Sequence, residues 1–449
     1  IPILTRPKVA LEYLKQNGDS YSKRHIDAFI DMVVYGEMNK ATAVGNISAN
    51  KVTDSIIGFS AITSIAADLL KGVANNLQGN IQLVIEAQGA EFFNAKNLRK
   101  GTAQYAKAVP GMLGDFGKPT PVSLMGKLSE LYDPIQGDFQ DRYGNLVTGS
   151  LLNKLIRTDT LFFNQYFGEH QLQISTMLAL MDATMVRDKT TKEEITLFQA
   201  HEKYGAQSAF ENIQIIEEKE DGKKEYRDFT EKDRRSFQDR LHALNKKMHG
   251  VYNSFDKGTL QRYWYGKLAL MYRKHMLPGF MRRFQSKRFD EELGSMVEGY
   301  YGTFWRTFMK DLLTYKKDIG QQWSTYTPHQ KANIRKTLTE YSMILALLGL
   351  IAVLSAMAAD DEDLEENYAY NFILYEAIRM RSETSQYTSL SDVWRTVKSP
   401  SAALTTISRM AKFVNQIMPY NITESYKRRS GVWEKGDNKI LELSKAYKL

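Results

Sequence analysis

The feature that most constrains this chain is a run of seventeen residues, 343–359, with no charge and one hydroxyl, Ser355; six of the seven residues that follow, 360–366, are acidic. Such a run cannot lie bare on a soluble surface, because apolar area left in water forgoes about 25 cal/mol per Å². As a helix it measures about 26 Å at 1.5 Å per residue, just under the roughly 30 Å of a bilayer core. A helix apolar on every side needs neighbours all round it. The run is therefore expected to be shielded, either by lipid or by an enclosing bundle or oligomer. Lys331, Arg335 and Lys336 upstream and the acids downstream form an asymmetry that would set the N-terminal side in a cytoplasm. The predicted apolar helix covers 342–359, and Met343, Ile344, Leu347, Leu350, Ile351 and Leu354 are its expected lipid-facing or oligomer-facing stripe. The acids lack the central glycine and alternating oxygens of a calcium loop, so they mark the solvated end of the helix.

The rest of the chain reads as mainly α: elongated helical bundle modules with one or two small β-hairpins. No proline occurs between Pro134 and Pro278, which suits long helices. Ile62, Ile65, Ala66, Leu69, Leu70 and Val73 recur at helical spacing, as do Ile174, Met177, Leu178, Met181 and Met185, and Leu404, Ile407, Ala411, Val414 and Met418. Hairpins are expected at Asp221-Gly222, where a type I′ turn suits the dipeptide, and more weakly at Gly144-Asn145. Their charged arms should project from the helices. The stretch 109–121, with three prolines and three glycines, reads as a linker. The expected modules are 1–120, 121–328 and 329–449, the last holding the apolar helix.

At 449 residues the chain can bury a large core, and with no cysteine it has no disulfide, thiol nucleophile or Cys-ligated zinc. Residues 1–30 show no secretory signal pattern. Catalytic signatures are missing: no phosphate loop, dinucleotide fingerprint, zinc-protease helix or nucleophile elbow. The seven histidines are scattered. His242 and His249 share a helical face but stand about 10 Å apart along it, too far for one metal. Glu169 and His170 are adjacent and so point apart on a helix. No catalytic residue, metal site or cofactor is expected.

One stretch has a distinctive balance. Residues 257–288 hold nine Lys/Arg and no acid, interleaved with Tyr263, Trp264, Tyr265, Tyr272, Phe280 and Phe284. Cations can hold phosphates while aromatic faces stack on bases; the same mixture suits lipid headgroups and the membrane boundary. An ordinary amphipathic helix with a wet basic face accounts for it as well. The candidate phosphate- or headgroup-binding residues are Arg262, Lys267, Arg273, Lys274, Arg282, Arg283, Lys287 and Arg288.

The phrases "FFNQYFGEHQLQISTMLALMDATM" from Phe162, "FDKGTLQRYWYGKLALMYRKHMLPGFMRRF" from Phe255 and "LGSMVEGYYGTFWRTFMKDL" from Leu293 resemble stretches in the virion-packaged proteins of crAss-like tailed bacteriophages. That set includes virion RNA polymerase and cargo proteins ejected with the genome. The resemblance covers roughly residues 150–350, and no aspartate-rich polymerase motif accompanies it. It implies a non-enzymatic cargo protein, stored in the capsid or tail lumen and delivered into the host envelope or cytoplasm. Implied partners are other virion proteins (portal, tail or cargo), host membrane, and DNA or RNA, in an oligomer or larger assembly. The alternatives are an accessory segment of a larger transcription-related virion enzyme, or a structural tail or portal-lumen protein that stays in the particle.

Overall fold

The computed structural model describes residues 69–115, 120–134, 163–218, 222–249, 276–290, 293, 295–315, 319–360 and 367–388, with a few isolated short pieces elsewhere. The repeats at 62–66 and 404–418 and the hairpin at Gly144-Asn145 lie outside the described residues. What is described is mainly α, as the apolar spacing predicts, with small antiparallel strands.

Helices α1 (Leu69–Gly89), α2 (Ala95–Asp115), α3 (Leu124–Tyr132) and α4 (Phe163–Ala183) build the larger core. Helix α4 runs through its centre, packed by α1 and α2. Leu172, Ile174, Met177, Leu178, Leu180 and Met181 are all buried, so the predicted face is in place and the helix is buried beyond it. Met185 departs from that prediction. Thr184 closes α4, its N–H donating to the Leu180 carbonyl at 3.0 Å, and Met185 opens a strand with its side chain exposed.

That strand, β1 (Met185–Asp188), pairs on one side with β2 (Glu194–Thr196) and on the other with β3 (Ile213–Glu218), which pairs in turn with β4 (Lys224–Asp228). The hairpin expected near Asp221-Gly222 is therefore present, but as half of a four-stranded sheet ordered β2-β1-β3-β4. Its last pair is Glu218 with Lys224, which leaves a connection longer than a two-residue turn. Gly222 within that connection takes φ of 74°, open to glycine at no steric cost. Asp188, buried at the end of β1, accepts from Lys203 at 2.7 Å, Tyr204 at 2.9 Å and the Thr190 N–H at 2.7 Å. Helix α5 (Leu197–Tyr204) starts from a reciprocal Thr196/Gln199 capping box, and α6 (Glu231–His249) closes this half, burying Phe237, Leu241, Leu244 and Met248.

The expected linker at 109–121 is helical as far as Asp115. Proline inside a helix removes a hydrogen bond, yet Val109 and Met112 pack on the core and hold the turn together. The chain then reverses, with the Asp115 carboxylate accepting from the N–H groups of Val122 and Ser123, each at 2.9 Å. Residues on both sides of position 120, from Leu83 and Tyr105 to Met125, Leu197 and Leu244, share one apolar cluster.

The remaining elements are α7 (Met276–Phe284), a strand pair β5 (Arg288–Asp290) and β6 (Ser295–Val297), and α8 (Tyr300–Thr303). A π-helical turn, Phe304–Met309, carries α8 into α9 (Lys310–Tyr315), and α10 (Ile319–Thr325) follows. Helix α11 (Pro328–Asp360) has 33 residues. It opens with a reciprocal cap: Thr327 accepts from the Gln330 N–H at 3.2 Å and Gln330 accepts from the Thr327 N–H at 2.9 Å, with Pro328 at the first helical position. The apolar run is the second half of this helix. Helix α12 (Tyr368–Ser385) packs along α11.

Candidate membrane-facing site

The first half of α11 is set into the protein by ions. Arg283, 1% exposed, donates to Glu340 through Nε at 3.1 Å and to the Gly279 carbonyl at 2.8 Å. The hydroxyls of Tyr300 and Tyr301 both donate to the other Glu340 oxygen at 2.8 Å. The Tyr387 ring lies 3.9 Å from the guanidinium carbon. Gly279 makes room for it, since a Cβ there would stand 2.3 Å from the Tyr387 hydroxyl. Burial works against the Arg283 charge, but Tyr300 and Glu340 around it keep the guanidinium firmly protonated.

A second cluster lies beside the first. Lys336 bridges Glu86 at 2.6 Å and Glu91 at 3.0 Å, while Arg282 reaches Gln82 at 3.0 Å and Glu86 at 3.3 Å. His329 contacts Glu91 through Nδ1 at 2.5 Å, and its Nε2 faces the Glu298 backbone N–H at 3.0 Å. An N–H donor opposite Nε2 requires that nitrogen to accept, so the proton sits on Nδ1 and points at Glu91. Burial opposes ionisation of Glu91, yet Lys336 and His329 hold its carboxyl down at about 2. Burial likewise disfavours the Lys336 ammonium, and Glu86 and Glu91 outweigh it, raising its pKa.

Above these ions the rings change the chemistry. Phe280 and Phe284 lie 4.9 Å apart, Phe284 meets Tyr301 edge-on at 5.4 Å, and Tyr301 stacks on Tyr341 at 5.6 Å. Trp305 meets Phe304 edge-on at 5.5 Å, and Phe304 lies 6.5 Å from Tyr341. Phe280, Phe284 and Trp305 are exposed, so half of this girdle faces outward.

Beyond Tyr341, α11 emerges. Among the described residues it is the one helix long and apolar enough to cross a membrane. Leu345 is 68% exposed and Val353 59%, and Leu348, Leu350 and Met357 are exposed too. Five of the six expected stripe residues, Met343, Ile344, Leu347, Ile351 and Leu354, are instead half-buried. They lie on the side the chain itself partly covers, where α12 packs and the Tyr370 hydroxyl reaches the Leu354 carbonyl. The outward face is corrected to Leu345, Leu348, Leu350, Val353 and Met357, Leu350 alone being common to both sets. Helix α12 adds exposed Tyr368, Ile373, Tyr375 and Ile378.

The basic stretch divides differently from the expectation. Arg262, Lys267, Arg273 and Lys274 lie outside the described residues, and Lys287 and Arg288 are exposed at the bend into β5. Arg282 and Arg283 are corrected: they point inward and are committed to Gln82, Glu86 and Glu340, with no face left for phosphate. Their partners lie far off in sequence, and a carboxylate such as Glu340, just before an apolar run, carries no local sign that it receives an arginine. The sequence shows the girdle only as separate aromatics, Phe280 and Phe284 in one quoted phrase, Tyr301, Phe304 and Trp305 in another, and Tyr341 just before the apolar run. Among the described residues no group of three or more His, Asp or Glu is placed to hold a metal ion.

Comparison with known proteins supplies no relative: no family model, curated protein or solved structure matches this chain.

Proposed function

We propose that this chain is a non-enzymatic virion protein of a tailed bacteriophage, packaged in the particle, delivered with the genome, and seated in the host membrane through the second half of α11. The observation that carries the membrane part is the bare hydrocarbon of Leu345, Leu348, Leu350, Val353 and Met357 on a helix whose base is locked into the fold. A helix that sheds water on most of its circumference needs lipid or many helical neighbours, and α12 covers one side only. The phage part rests on the likeness of the three phrases given above. Membrane is favoured over nucleic acid because Arg282 and Arg283, two of the expected phosphate contacts, are used inside the fold.

Flotation with vesicles of phosphatidylcholine and phosphatidylglycerol tests the membrane part. The chain should float, and Leu350→Asp should reduce the floated fraction. If the chain instead forms a defined oligomer that ignores vesicles, copies of itself shield the helix and the membrane reading fails. The delivery part is tested by comparing the protein content of intact and emptied particles: retention in emptied particles makes it a structural component that stays behind.

A further inference from the structure

The order of chemistries along α11 suggests how deep it sits. Lys336 and Glu340 are held in buried ion pairs; Tyr341 joins a ring of aromatics; residues 343–357 offer only hydrocarbon and one hydroxyl. From Lys336 to Tyr341 is about 8 Å along the axis, and from Tyr341 to Met357 about 24 Å. A bilayer presents the same sequence to an entering protein: water, a headgroup layer that favours Trp and Tyr, then hydrocarbon.

We infer that the girdle of Phe280, Phe284, Trp305 and Tyr341 is the level at which this chain meets the membrane surface, lying among the headgroups of an anionic leaflet. This rests on the membrane reading above and adds depth, orientation and lipid charge to it. Three observations converge. Trp305 is 55% exposed while the ring next to it, Phe304, is buried, and both lie in the π-helical turn; such turns are rare and concentrate at functional sites. The exposed rings are joined through Tyr301, Phe304 and Tyr341 to the start of the bare helix, so an unbroken series of ring contacts leads from the girdle to the hydrocarbon stretch. Charge agrees as well. Lys310 directly follows the π-helical turn and Arg335 precedes Tyr341 by six residues on α11, its guanidinium over the Trp323 ring at 5.7 Å; both are exposed, Glu298 is neutralised by Arg306, and in sequence the cluster of acids follows the hydrocarbon stretch. Cations beside the girdle suit anionic headgroups, each adding attraction that salt weakens.

The chain has no cysteine, so single introduced cysteines can be labelled uniquely. Full-length Phe284→Cys, Trp305→Cys, Leu345→Cys and Val353→Cys, each carrying an environment-sensitive fluorophore, are bound to phosphatidylcholine vesicles with and without phosphatidylglycerol. Quenching by a headgroup-level lipid spin label is compared with quenching by one deep in the acyl chain. Labels at 284 and 305 should respond to the shallow quencher and the label at 353 to the deep one, with 345 between. Replacing Phe280 and Trp305 together by Ser should weaken binding by about tenfold or more, the equivalent of one buried ring, and Arg335→Glu with Lys310→Glu should weaken it on anionic vesicles only. If 353 is deep while 284 and 305 stay unquenched, or if these two are the deepest, the girdle inference is overturned and the membrane reading stands. Equal binding to neutral and anionic vesicles overturns the lipid-charge part. No binding to either removes both readings together.

Discussion

The two halves of α11 share one helix and invert each other's burial. In residues 328–341 four of the six buried side chains are polar or charged, Asn333, Lys336, Thr337 and Glu340, whereas in residues 343–357 the exposed side chains are apolar apart from Ser355. The first half can bury ions because each has its partner inside the chain, on α1, α7 or α8. The second half has α12 on one side and leaves the rest of its surface to something beyond the described residues. The lesson is that helix continuity does not imply a continuous environment: backbone hydrogen bonds run unbroken through Tyr341 while the medium around the side chains changes.

The largest test of that contrast removes one ion at the base. Arg283→Met strands the Glu340 carboxylate in the interior and should destabilise the fold by about 3–5 kcal/mol, measured by urea unfolding; adding Glu340→Leu should recover much of the loss, since the pair then leaves together. If Arg283→Met is neutral, the base is not held by ions. The matching change in the free half is Val353→Asp, expected to leave the unfolding midpoint unchanged while weakening vesicle partition by about 2.5–3.5 kcal/mol, read by flotation.

Acid should separate the halves as well. Because the folded Glu91 pKa is lowered from 4.5 to about 2, its contribution is complete above the unfolded pKa and is lost as pH falls through that interval. Full protonation removes up to about 3 kcal/mol of stability. Glu91→Gln should flatten that part of a stability profile between pH 5 and 2, and an unchanged slope would mean that Lys336 and His329 do not favour the charged carboxyl. The smallest effect belongs to the start of the helix, where Thr327→Ala removes a capping hydroxyl and should cost about 1 kcal/mol, seen as faster amide exchange at Lys331 and its neighbours with vesicle binding intact.

Legibility followed the range of the interactions involved. The buried face of α4 and the apolar half of α11 could be read because three- and four-residue spacing is local. Strands β1 and β2 could not: they are 4 and 3 residues long, and a period of two has no room to declare itself. Helix α2 passing through Pro110 was hidden because the packing that compensates the lost hydrogen bond comes from the core.

By itself the sequence determined that this chain is mainly helical, that it lacks thiol chemistry, and that one helix half must be kept from water, since composition and period set local conformation and hydration cost. Only the tertiary structure decided which cations are spent internally, which side of α11 is covered by α12, and that scattered aromatics from α7, α8, the π turn and α11 meet at Tyr341. Partners such as Arg283 and Glu340 stand 57 positions apart, and no local pattern specifies a contact that only chain folding brings together.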